Sequence, residues 1–433
     1  MTLKIKVTKI IYIMIIFVCI ERLLETIGFP HTTIFILDFL NLILFWFLCK
    51  GEGLNEIIKH NMVKIHLLLF IVSIINSLLN GTNILLILWA IRNLWRFYVF
   101  FGACIYYLKF KDIIRIYNYL EVIFFINLSI IIFQYIIGIR GDHLGGIFGT
   151  FAGANAYNNI FMIIINSYII SKMFENQEWT LKTIIIVLIS IMISVISETK
   201  VFLFEIVIII AISAIITGVI NKKYKVICKG FVVTIFALSA VLFGAQIIAK
   251  MFPSRSNMNF LSIDGLRYIL TRESGYTGYG DLNRLTAISS LNKIPVFYDN
   301  TFRQIMGLGL GAGEYSETIR TLQSPFYLQY NYLHYYWLSI AWMYIECGYV
   351  GVFLYMFGFI SNIPKGINVI RKKTLNKSYS PCVISGIIMS FMTLILFIYN
   401  QSLRIESAYL FFFALSAITI GDKEIGNKEI VKS

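Results

Sequence analysis

Residues 181–220 read LKTIIIVLISIMISVISETKVFLFEIVIIIAISAIITGVI. Two apolar runs, 181–197 and 200–220, meet at the polar cluster Ser197-Glu198-Thr199-Lys200. Runs of about 20 residues are what a bilayer core about 30 Å thick requires of a helix. Backbone groups in lipid must be satisfied internally, which leaves helices or closed barrels. These runs are unbroken rather than alternating, so the barrel is rejected and the runs read as helices. Outward from this hairpin, the same reading places spans at 9–28, 32–49, 64–80, 83–107, 115–138, 155–175, 228–249, 338–362, 381–399 and 404–421. The expected fold is all-α: one polytopic integral membrane domain over 1–433, with about 12 transmembrane helices and one large external loop, 251–337, that contains short helices.

Composition agrees. The chain is 58% hydrophobic and only 14% charged, too little charge to cover a soluble protein of this length. A net charge of +14 raises the question of nucleic acid, but the Lys and Arg residues occupy short inter-helix connections, as the positive-inside rule requires. No nucleic-acid partner is expected. Cys19, Cys49, Cys104, Cys228, Cys347 and Cys382 are scattered, with no CxxC pair, so neither a disulfide framework nor a zinc site is indicated. Lys4, Lys6 and Lys9 precede the first apolar run without a small-residue cleavage site, which reads as an uncleaved first span.

Alternate connections divide by charge. One set carries the N-terminal lysines, Lys50, Lys59 and Lys64, Lys109, Lys111 and Arg115, the Lys222–Lys229 cluster, and Lys365 through Lys377. The short connections of the other set hold only Arg22, Arg140, Lys200 and Arg404. Both termini are therefore expected in the cytoplasm and the large loop outside. No ATP or nucleotide sugar is available there, so outward-facing chemistry must use a substrate delivered through the membrane.

The loop carries Asp281-Leu-Asn-Arg284, whose spacing predicts an amphipathic helix holding Arg284. A guanidinium there serves either as a bidentate phosphate ligand or as a solvated surface group. The run Gly307-Leu-Gly309-Leu-Gly311-Ala-Gly313 opens no βαβ unit, so it reads as a tight turn where backbone approaches backbone or ligand rather than a nucleotide loop. His334 stands near the mouth of the tenth span, as a base for a sugar hydroxyl or as a member of an aromatic belt. The same two readings apply to Tyr327, Tyr330, Tyr332, Tyr335 and Tyr336, which suit sugar stacking or the membrane interface. Glu346, about three helical turns past His334, is ionisable at membrane depth and needs a polar or basic partner. Arg140 and the glycine-rich turn leading to Asn155 offer contacts to sugars or merely turn the chain. Beside Glu198, Lys200 holds a phosphate as a point charge, or the whole cluster merely solvates a hairpin turn. Arg92 and Arg96, four apart inside the fourth span, read as a structural pair with Asp38, Glu121 or Glu205. No metal-ligand constellation is present, so no metal is expected.

In order along the chain, these patterns resemble the bacterial O-antigen ligase and O-antigen or capsular polysaccharide polymerase superfamily, membrane glycosyltransferases of the C type. Arg140…Gly145-Gly-Ile-Phe-Gly…Asn155, Ser197-Glu-Thr-Lys200, Asn283-Arg284 followed by Gly307-x-Gly309-x-Gly311, and His334…Glu346-x-Gly348-x-x-Gly351 carry the resemblance. Tyr335 stands where that family has Asn, and Lys200 where it commonly has arginine. The resemblance implies a glycan donor on undecaprenyl pyrophosphate, a lipid-linked acceptor, no cofactor, and a chain-length regulator as a further partner. By the same resemblance, Arg284 and Lys200 hold pyrophosphate with Arg140 a weaker third, and His334 acts on the acceptor, with Glu198 or His143 sharing the base role. The expected function is a polysaccharide polymerase (O-antigen, capsule or exopolysaccharide) of the bacterial cytoplasmic membrane. A ligase moving the finished glycan, or a flippase, are the alternatives.

Overall fold

A helix covers each expected run. The computed structural model describes residues 2–220, 222, 224–251, 280–372 and 377–432, and among them all regular structure is helical. The long helices are α1 (Thr2–Thr26), α2 (Phe35–Lys50), α4 (Asn61–Leu79), α5 (Ile84–Tyr107), α6 (Phe110–Ile136), α7 (Ala154–Asn176), α8 (Leu181–Ile196), α9 (Val201–Ile220) and α10 (Tyr224–Met251), with a short α3 (Gly53–Lys59) between α2 and α4. After the loop helices α11 (Ala287–Leu291), α12 (Thr301–Met306) and α13 (Pro325–Tyr330) come α14 (Ser339–Ile360), α15 (Asn362–Arg371), α16 (Ser380–Tyr399) and α17 (Ala408–Lys432). Loop residues 252–279, with Arg255, Arg267 and Arg272, lie outside the described residues, as does Lys373.

Among the described residues, seven segments are long and apolar enough to cross a membrane: His31–Lys50, Asn61–Leu79, Ile84–Tyr107, Phe110–Ile136, Val201–Ile220, Ser339–Arg371 and Ser380–Tyr399. Their outward faces are apolar: Phe39 and Leu42 on α2 are 63% and 66% exposed, and Val122 and Phe133 on α6 are 60%. An apolar exterior of this extent belongs against lipid. Two helices outside that set, α7 and α17, are buried within the bundle. Helix α7 carries Asn158, Asn159, Asn166, Ser167 and Ser171, all fully buried, and packs on α9, α16 and α17. Asn166 donates to Ser190 at 2.8 Å, and the Ser167 and Ser385 hydroxyls lie 2.6 Å apart. Such side-chain bonds join helices where the solvent offers none. Helix α17 is buried from Ala408 through Ala414 and packs on α5, α7 and α16.

Two expectations change in detail. Arg284 does not lie within a helix: it sits in a turn before the five-residue α11, because the bond from Leu285 N to the Asn283 side chain (3.2 Å) holds a turn there. The last run begins as a helix at Ala408, not at 404, so Arg404 and Glu406 belong to the connection between α16 and α17.

The two glycine patterns prove to be the two sides of one contact. Helix α14 breaks at Gly348, whose φ of 63° is left-handed, and the break frees carbonyls that an intact helix would satisfy. The loop takes them: Leu308 N donates to Ile345 O at 2.8 Å and Gly309 N to Glu346 O at 2.9 Å. Backbones meet so closely that a Cβ on Gly307 would lie 2.4 Å from the Glu346 carbonyl carbon, and one on Gly348 2.3 Å from Ile305 O. Only glycine fits either side.

Candidate functional site

Connections between alternate helices gather at one end of the bundle, where the loop folds over them. A cavity of about 270 Å³ opens there. Its lining comes from the last turn of α1 (Arg22), the α1–α2 connection (His31), α5 (Trp89, Arg92, Arg96), the α6–α7 connection (Phe151), the loop (Tyr315, Tyr336, Trp337), the start of α14 (Trp342) and the α16–α17 connection (Arg404, Glu406). Arg92 and Arg96 share a face because four residues make about one turn.

Four guanidiniums and an imidazole therefore line this cavity together with Glu406 and Glu317, while further carboxylates pair with the arginines. Arg92 pairs with Asp38, and Arg96 lies 3.0 Å from Glu406 and 4.0 Å from Asp38. Arg404 pairs with fully buried Glu314, lies 3.8 Å from Glu346, and rests 3.4 Å above the Trp342 ring. Glu314 also accepts from Asn93 at 2.8 Å. Arg22 donates to Glu25 at 2.9 Å, to the Tyr157 hydroxyl at 3.1 Å and to Glu406 at 3.4 Å. Tyr157 in turn donates to Glu406 at 2.7 Å. Burial by itself would raise the Glu406 carboxyl, but the Arg96 and Arg22 guanidiniums outweigh it and hold the group at about 2.

The network stops short of satisfying its donors. Arg22 Nε, Arg96 Nε and Arg404 Nη1 are buried without a hydrogen bond among the described residues, Arg22 Nε 3.8 Å from Glu21 Oε1 and Arg404 Nη1 3.8 Å from Glu346 Oε2. Guanidiniums preorganised by carboxylates behind them along a poorly solvated cavity are suited to a bidentate oxyanion. The aromatic walls around them suit the apolar faces of sugar rings. His31 Nδ1 lies 3.0 Å from Glu25 Oε1 and 3.3 Å from Arg22 Nη1. With Nδ1–H donating to Glu25, Nε2 is the nitrogen left to take a proton.

Arg92, Arg96 and Tyr336 line the cavity, but the candidate substrate and catalytic residues named from the sequence fall elsewhere, in three places, with one exception. Arg140 closes the end of α6, bonding the carbonyls of Tyr135 and Ile139 and lying 3.8 Å above the Tyr135 ring. Asn155 joins the α6–α7 and α8–α9 connections by donating to Asp142 at 2.8 Å and Ser197 O at 3.3 Å. Glu198, with φ of 56°, sits in the second of these, where Lys200 N donates to Glu198 O at 2.8 Å. His143 packs nearby, its Nδ1 3.1 Å from Thr150 O. Arg284 donates from Nε to Tyr399 O at 2.8 Å and covers the Tyr399 ring. His334, left-handed at φ 48°, stacks on Trp337 at 4.0 Å, so it stands one ring behind the cavity wall. Glu346 alone joins the cluster, accepting from Gly311 N at 3.0 Å beneath Arg404.

Arg22, Arg92, Arg96, Arg404 and Glu406 were missed as a site. The signal was present: on the side poor in positive charge, each remaining arginine is retained against the topological bias, and two arginines inside a span are expensive. Of the partners weighed for the Arg92 and Arg96 pair, Asp38 is the one found; Glu121 pairs with Lys182, and Glu205 is buried on α9. Among the described residues no group of three or more His, Cys, Asp or Glu side chains could hold a metal ion. No protein-family model matches the chain, and no curated protein matches its sequence.

Proposed function

We propose that this protein is a membrane glycosyltransferase that elongates a polysaccharide at the outer face of a bacterial cytoplasmic membrane. In this reading the donor is a glycan on undecaprenyl pyrophosphate, the acceptor is a lipid-linked repeat unit, about twelve spans cross the bilayer, and both termini are cytoplasmic. The observation that carries the reading is the aromatic-walled cavity with its four arginines. Glycosyl transfer breaks the bond between the sugar C1 and the pyrophosphate oxygen, and charge builds on that oxygen as the acceptor hydroxyl attacks. Arg22, Arg92, Arg96 and Arg404 stabilise the departing pyrophosphate, and the carboxylates behind them fix the guanidiniums before the charge develops. His31, oriented by Glu25, takes the hydroxyl proton at Nε2. His334 positions Trp337 at the cavity wall.

One observation favours a second reading. The break in α14 at Gly348 is a feature of transporters, whose discontinuous helices form binding sites at mid-membrane. Against it, the freed carbonyls are taken by loop residues 308 and 309, which fastens the break to the rest of the protein. The two readings part in a deletion strain complemented with wild type, Arg404→Ala or His31→Ala. Polymer restored by wild type alone, with lipid-linked single repeats accumulating outside in both variants, is expected. Single repeats trapped on the inner leaflet would establish a flippase, and finished chains stranded on the carrier a ligase.

A further inference from the structure

A second cavity lies at the opposite end of the bundle. Its volume is about 730 Å³, and Lys9 and Tyr12 of α1, Tyr107 at the end of α5, and Lys109, Lys111, Asp112 and Arg115 at the start of α6 are among its lining. Thirteen residues of α1 separate Lys9 from Arg22, about 20 Å along a helix, so this cavity is distinct from the arginine-lined one.

Four cationic side chains meet here around an apolar interior. Lys9, Lys109, Lys111 and Arg115 are all exposed, and none forms an ion pair with a carboxylate among the described residues. The one carboxylate in the lining, Asp112, is 8% exposed and already used: its Oδ2 accepts from Lys109 N at 3.0 Å and caps α6. Arg115 also bonds the Tyr12 side chain, and among the described residues the positive rim has no anion paired with it. Below the rim, Ile13 and Tyr119 present apolar surface that is 54% and 51% exposed. Tyr12 and Tyr119 meet edge to face at 6.0 Å, with the Tyr12 hydroxyl donating to Asp112 O at 3.2 Å. Tyrosines with an apolar body and an anchored hydroxyl mark the depth where hydrocarbon meets headgroup.

We infer that this cavity is a binding site for an anionic phospholipid. The phosphodiester and its glycerol sit against Lys9, Lys109, Lys111 and Arg115, and the acyl chains run past Ile13 and Tyr119. A basic pocket between helices, continuous with lipid-facing surface, has the chemistry to select negative headgroups over zwitterionic ones. Lysine dominates because a headgroup that stays hydrated is held by point charges rather than by a rigid fork. The inference does not depend on the proposed function; it needs only that the helices be membrane-embedded.

Native mass spectrometry of the full chain in neutral detergent tests this, with phosphatidylglycerol and phosphatidylcholine of matched chains as probes. The expected result is one phosphatidylglycerol retained per chain and phosphatidylcholine lost. Lys109→Gln, Lys111→Gln and Arg115→Gln together weaken retention about a hundredfold, each charge being worth roughly fivefold near the membrane surface. Lys111→Gln alone weakens it about fivefold, which covers the case in which the triple variant fails to fold. Equal retention of both lipids, or unchanged retention in a folded triple variant, overturns the inference. Displacement of the lipid by millimolar inorganic phosphate would show a soluble-phosphate site instead and overturn it too.

Discussion

The two ends of the bundle both collect positive charge, and they treat it in opposite ways. At one end Arg22, Arg92, Arg96 and Arg404 are held by Asp38, Glu25, Glu314 and Glu406 and enclosed by aromatic rings. At the other, Lys9, Lys109, Lys111 and Arg115 stand in solvent-accessible positions around an apolar groove, and the nearest carboxylate caps a helix. Net charge does not distinguish these sites; desolvation and preorganisation do. A buried guanidinium must be paired to be tolerated, and once paired it offers donors in a fixed direction. An exposed ammonium needs no partner, and it attracts anions without orienting them. The first arrangement suits stabilisation of a leaving group. The second suits retention of a lipid.

Substitutions at the two ends test that contrast. Arg404→Ala removes a preorganised donor and leaves buried Glu314 without its cation. The rate of polymer formation in reconstituted vesicles should fall about a thousandfold, corresponding to a barrier about 4 kcal/mol higher. Arg404→Lys keeps the charge but loses the fork, and an intermediate rate is expected. A rate for Arg404→Ala close to wild type would remove the arginine cavity from the chemistry.

His31→Ala should slow the reaction about a hundredfold, the lower range for loss of a general base. Glu25→Gln should slow it less than His31→Ala, since only the acceptor that orients the imidazole is weakened. His334→Ala, which acts through Trp337, should cost less than His31→Ala. The reverse order would return the base role to the loop histidine.

The acid stability of the folded chain in detergent probes the pairing itself. With Glu406 held near 2 against an ordinary value of 4.5, its contribution is fully present above about pH 4.5 and declines as the pH falls from there toward 2. Thermal unfolding of Glu406→Gln should begin from a lower midpoint at neutral pH and lack that part of the acid decline. At the far end, Lys111→Gln should change the stability by no more than about 0.5 kcal/mol and the polymerisation rate by no more than about twofold, as an exposed substitution does. A large loss there would erase the difference between the two ends.

Much of the chain was legible before its structure. Apolar run length placed the helices, because a backbone in hydrocarbon has few ways to satisfy its own hydrogen bonds. The glycines at 307–311 were readable as a site of close approach, although not as the partners of Gly348. The candidate site was not legible as such. Arg22 and Arg404 are 382 positions apart, and each alone counted as a loop charge; only packing puts both beside Glu406 or its neighbours. Conversely Arg140, Asn155 and Glu198 share a pattern along the chain, and the contacts described for them tie turns together.

By itself, then, the sequence determined the all-helical class, the positions of the apolar segments and the ends at which charge would collect. These follow from hydrophobicity and backbone hydrogen bonding, which act over one helix at a time. Tertiary structure alone decided which cations are buried and paired, which stand free of carboxylates, and where aromatic walls close around them. Those outcomes depend on which helices become neighbours, since a charge's environment is set by groups within a few ångströms in space, wherever they lie along the chain.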